Sequence, residues 1–206
     1  METYYSIAKS QIRHNLWQPV LISAVMLAAS PLVLGIRNLS PEQSAKVLET
    51  FVALIGIILF VPVFYPEQDQ SVRDTIRARY TPITCIYLIR LALSLLAAAI
   101  FLLAYMGVMK AGNCGMEMGR FYFGTCAEML FFGGIGIFAY GVSDNLIIGY
   151  MAPMVYYAAA IGAGAKYMKW FYPFGMLTDY MTKYWILAAG IVLGAAGIWM
   201  RNIKKN

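Results

Sequence analysis

The run LALSLLAAAIFLLAYMGVM, Leu91 to Met109, holds nineteen consecutive residues without a charge. A hydrocarbon core of about 30 Å is crossed by about 20 mostly apolar residues in a helix. This run is long enough to span, and it sets the scale for reading the rest of the chain. WQPVLISAVMLAASPLVLGI precedes it, from Trp17 to Ile36, with Pro31 late enough to kink the helix rather than forbid it. VLETFVALIGIILFVPVFY, Val47 to Tyr65, comes between the two, with an uncharged core from Thr50 to Tyr65. Beyond the first run come FYFGTCAEMLFFGGIGIFAYGV, LIIGYMAPMVYYAAAIGAGA and YWILAAGIVLGAAGIWM. Six spans are therefore expected, at about 17–36, 47–65, 83–109, 121–142, 146–165 and 184–200. The fold class is an all-α membrane protein with a single transmembrane domain, 1–206.

Composition points the same way. Of the 206 residues, 61% are hydrophobic and 13% charged, against about 45–50% and about 25% in soluble domains. That excludes a disordered tail, a secreted disulfide scaffold and an ordinary cytosolic enzyme. The net charge of +6 contains no Lys/Arg block longer than two residues. The basic residues flank apolar runs, as at membrane spans, so nucleic acid is not an expected partner. Cys85, Cys114 and Cys126 form no CxxC pair. Their odd number favours free thiols over a Cys114–Cys126 bridge.

Residues 1–30 carry basic residues, an apolar stretch and LAAS, as a signal peptide does. The stretch reads as a span. Before it, Tyr5, Ala8, Ile12 and Leu16 recur at helical spacing beside Lys9 and Arg13, the pattern of an interfacial helix on lipid. With six spans both termini share a side. That side holds nine of the lysines and arginines, Arg90 included, against seven on the other. The excess favours cytoplasmic termini.

No phosphate loop GxxxxGK[ST] occurs, and the only histidine, His14, precedes the first span. No nucleophile–base set can be assembled, and no His, Cys, Asp and Glu residues cluster with metal-ligand spacing. Catalytic residues and a metal are therefore not expected, nor is a cofactor on this chain. No stretch between spans exceeds about 20 residues, which leaves no room for a soluble catalytic domain.

The charges concentrate instead in PEQDQSVRDTIRARYTP, Pro66 to Pro82, which holds six of the 26 charged residues. Glu67, Asp69 and Asp74 come early and Arg73, Arg77 and Arg79 later, the order a helix dipole favours. Ser71 can cap a short helix with Val72 and Ile76 on one face. Such a segment is a solvated loop or a docking helix. Arg90 opens the third span and is expected to snorkel to the interface. Glu128 lies within the fourth span; it either lines a path or pairs in the interior, or it sits near the headgroups. Gly190-x-x-x-Gly194 in the last span permits close helix packing.

Taken in order, these features resemble the membrane subunit of type-2 ABC exporters. In that family a Glu after the second span opens a short cytosolic coupling helix, followed by a Pro and a basic residue entering the third span. Glu67, Pro82 and Arg90 match in place. VSDNLIIGYMAP, Val142 to Pro153, is similar to the family's tight turn between spans four and five. FYPF and the tail RNIKK also resemble its last-span flanks. The usual Gly-Thr after the Glu is replaced here by SVRDTI.

The resemblance implies a permease subunit in the cell membrane with both termini cytoplasmic. It would be gripped at 66–82 by a separate ABC ATPase carrying ATP and Mg, and paired with a second copy or a related permease. The implied coupling residues are Glu67, Asp69, Arg73, Asp74, Arg77 and Arg79. A substrate-binding membrane subunit of a vitamin-uptake transporter is the alternative, with Ala24-x-x-x-Ala28 as its docking face.

Overall fold

In lipid every backbone polar group must be satisfied within its own segment, so uncharged runs of this length resolve as helices. The computed structural model describes residues 11–68 and 83–205, and among the described residues there are helices and no strand. Six of the helices are long and apolar enough to cross a membrane: Trp17–Leu34, Pro41–Glu67, Ile83–Ala111, Met118–Ser143, Leu146–Phe171 and Met181–Ile203. They are numbered here as spans one to six and make the chain a multi-pass membrane protein. Most of the expected interfacial helix, at 1–10, and most of the expected coupling helix, at 69–82, lie outside the described residues. Gln11–Leu16 form a π-helical turn that runs into span one.

Span two starts at Pro41, earlier than its hydropathy indicates. Ser40 accepts a hydrogen bond from the Gln43 amide at 3.3 Å, and the Gln43 side chain accepts one from the Ser40 amide at 3.1 Å. This capping box, with Pro41 in the first turn, starts the helix over polar residues that a hydropathy window passes over. Ser40→Ala should lower stability by about 1 kcal/mol. An unfolding midpoint in mixed micelles unchanged by this substitution would count against the cap.

The same span is not one continuous α-helix. It tightens to 3-10 geometry over Val52–Leu54, returns to α over Ile55–Phe60, and tightens again over Val61–Glu67 around Pro62 and Pro66. Each change frees a carbonyl that has to be satisfied elsewhere. The Tyr157 hydroxyl of span five donates to the Thr50 carbonyl at 2.7 Å. In 3-10 geometry Val63 would bond to residue 66, which is proline and has no N–H. Arg90 donates to the Val63 carbonyl instead, at 3.1 Å.

Spans two and four form the interior of the bundle, and spans one and five its periphery. Phe60, Phe64, Tyr87, Phe132 and Tyr140 fill the centre. Leu32, Val33, Ile147 and Val155 face outward, the arrangement expected where the surrounding solvent is lipid. Spans four and six run parallel and in backbone contact. Gly134 lies against Gly190, and Gly141 against Gly197. A Cβ on Gly190 would stand 2.7 Å from Phe131 Cα, and one on Gly197 2.7 Å from Phe138 Cα. Of the expected Gly190–Gly194 pair, Gly190 lies on this seam, and a Cβ on Gly194 would meet nothing within 4 Å. A seven-residue step drifts only about 20° around a helix. A step of four drifts about twice that, which carries Gly194 off the seam.

Candidate functional site

Two clusters of charged side chains lie among the spans, one at each end of the bundle, and all their members except the exposed Asp144 are buried. The first lies at the end where the chain leaves spans two, four and six. Glu67 closes span two and is 2% exposed. Its carboxylate accepts from the Tyr87 hydroxyl and pairs with Arg90 at 3.2 Å, both residues of span three. Arg201 of span six is 1% exposed. It lies 3.9 Å from the Glu67 carboxylate and pairs with Asp144. Its guanidinium also stacks over Phe64 and Tyr140, at 4.8 and 5.1 Å from the ring centres.

Asp144 is positioned by the turn between spans four and five. It takes a left-handed conformation, φ 54°, directly after Ser143. The next residue, Asn145, caps span five by accepting from the Ile147 amide at 2.8 Å. An acid at this position therefore points back over the end of the bundle, where Arg201 meets it. Among the described residues two acids face two arginines, and the charges balance.

At the other end Glu49 of span two, Glu128 of span four and Lys183 of span six converge. The Lys183 ammonium donates to Glu128, to the Pro173 carbonyl and, at 2.7 Å, to Glu49. The Met176 amide donates to the same Glu49 oxygen at 2.6 Å. Lys183 and Glu128 are fully buried. Glu128 Oε2 is buried and has no hydrogen-bond donor among the described residues. The segment from Phe171 to Met176 reaches over the helices because Pro173 breaks the helical path and Gly124 leaves room. A Cβ on Gly124 would stand 2.9 Å from the end of the Met176 side chain.

A cavity of about 480 Å³ opens beside Glu49, and Lys46, Tyr157, Tyr172 and Thr178 are among its lining residues. Tyr172 lies just beyond span five. Its phenol is held above its ordinary value, first by burial and then by the Glu49 carboxylate, with Lys183 opposing.

These placements redraw the site residues read from the sequence. Glu67 is interior, and Arg90 turns inward to Glu67 and Val63, at 5% exposure, rather than snorkelling outward. Arg90 sits seven residues past the start of span three at Ile83, too deep for the interface to be its nearest polar partner. Glu128 pairs within the protein and is far from its span's end. Asp69, Arg73, Asp74, Arg77 and Arg79 lie outside the described residues. Cys85, Cys114 and Cys126 are free thiols.

Glu49, Asp144, Lys183 and Arg201 were not legible as site residues. Each stands near the end of an apolar run, where a charge reads as a flank. The one available signal was Glu128, since a carboxylate inside a span calls for a cation from another. No family model, curated protein or solved structure matches the chain.

Proposed function

We propose that the chain is the transmembrane subunit of an ATP-driven ABC transporter, working as an exporter in the cell membrane with both termini cytoplasmic. A separate ABC ATPase would bind ATP and Mg and grip the charged link between spans two and three. Two permease chains, identical or related, would enclose the path. The observation that carries this reading is the anchoring of that link. Glu67 and Arg90 flank it in sequence and pair with each other, and Arg201 adds span six to the same cluster. A push on the link would be passed at once to spans two, three and six. In this reading Glu67 would anchor the link, and the charges after it, Asp69, Arg73, Asp74, Arg77 and Arg79, would meet the ATPase.

The test is affinity capture from the native membrane. The intact chain is compared with one in which these five charged residues are replaced by serine. The intact chain should recover an ABC ATPase, and the altered chain about tenfold less, equivalent to about 1.4 kcal/mol of lost binding. Equal recovery by both would remove the link from the coupling role. A small vitamin-like ligand bound to the chain, with no ATPase, would favour the uptake alternative.

A further inference from the structure

Among the described residues the two ionic clusters differ by one charge. Glu67 and Asp144 face Arg90 and Arg201, but Glu49 and Glu128 share the single ammonium of Lys183. Among the described residues no second cation joins the Lys183 cluster. Lys46, one turn before Glu49, is exposed at the cavity with Glu42 and forms no ion pair with Glu49. Arg120 of span four is taken up by the Tyr180 ring, 4.8 Å away. From span five the cluster's neighbour is Tyr157, whose hydroxyl is committed to the Thr50 carbonyl. Between spans five and six the neutral phenols of Tyr172 and Tyr180 face it.

With every acid ionised the cluster would carry one uncompensated negative charge in a fully buried place. A buried ion costs several kcal/mol unless it is paired. The unpartnered Glu128 Oε2 is the atom at which a balancing proton would sit, giving the oxygen a role that no protein donor supplies. Of the three residues only Glu49 lines the cavity.

We propose that Glu49, Lys183 and Glu128 form a proton-binding site, holding one exchangeable proton on the buried Glu128 carboxyl and exchanging it through Glu49 and the cavity beside it. On release the O–H bond at Glu128 breaks and the proton passes to the Glu49 carboxylate. The new O–H bond at Glu49 then breaks as a cavity water takes the proton up. The cluster moves from neutral to one negative charge, and uptake reverses the steps. No electrons are transferred. The site exchanges with the compartment opposite the termini and does not depend on the coupling role of the link.

Infrared spectroscopy of the full chain in phospholipid vesicles tests this, because a protonated carboxyl absorbs apart from carboxylates and amides. The wild-type protein should show one such band at neutral pH, lost as the pH is raised. Glu128→Gln and Glu49→Gln should each abolish the band, since each leaves one carboxylate for one ammonium. Thr178→Trp, which narrows the cavity, should keep the band and slow its hydrogen–deuterium exchange at least tenfold. A wild-type protein with no protonated carboxyl overturns the site, and so does a band that survives both Gln variants. An unslowed exchange in Thr178→Trp overturns the route. The wild-type pH series decides the first point even if a variant fails to fold.

Discussion

Lys183→Ala is expected to destabilise the chain by about 3–5 kcal/mol, the usual cost of removing one partner from a buried ion pair. Among the described residues Lys183 is the only donor that joins Glu49, Glu128 and the Pro173 carbonyl. Without it the Glu49 carboxylate is left buried beside the Glu128 carboxyl with no cation, and the Pro173 carbonyl loses its partner. Spans two, four and six and the segment before span six lose their common pin. The loss should shrink in acid, where Glu49 is protonated as well. It should also be largely recovered when Lys183→Met is combined with Glu49→Gln and Glu128→Gln, because a neutral cluster has no desolvated charge to compensate. Unfolding midpoints in mixed micelles measure all three effects. A cost below about 1 kcal/mol for Lys183→Ala would place the lysine among ordinary surface charges.

Gly190→Leu should prevent spans four and six from closing. Overpacking a side-chain core costs about 1–3 kcal/mol, occasionally more. Here the obstacle is backbone, since even a Cβ on Gly190 would stand 2.7 Å from Phe131 Cα and 2.8 Å from the Leu130 carbonyl. Neighbouring side chains cannot rotate away from that contact, so the effect belongs at or above the top of the range. Gly197→Leu meets the same obstacle one heptad along. Gly194 is the internal control. With nothing within 4 Å, Gly194→Ala should change stability by no more than about 0.5 kcal/mol. Cysteine cross-linking between spans four and six would read the separation directly. Equal effects at Gly190 and Gly194 would mean that the seam runs elsewhere.

The spans themselves were readable because hydropathy is a property of consecutive residues. Six helices lie where the apolar runs predict them, and the start of span two is moved by its capping box. Span two gained its first turns from Ser40 and Gln43, which a hydropathy window counts only as polar. Residue pairs far apart in sequence were not readable. Glu49 and Lys183 are 134 residues apart, and Glu67 and Arg90 are 23. No local pattern marks such partners. The GxxxG spacing at Gly190 was visible, but the contact depends on which line of the helix faces span four. That line passes through Gly197.

The sequence by itself determined that the chain lies in lipid, that it crosses six times, and that its charges are scarce. Burial of backbone in lipid leaves a long apolar run no structure other than a helix. Only the tertiary structure decided where the scarce charges go. Lys183 and Arg201 bound the last span in sequence, yet both fold inward against acids from other spans. A charge near a span's end can reach water or a buried partner at similar distance, and packing alone selects between them. That selection left one end of the bundle balanced among the described residues and the other one positive charge short.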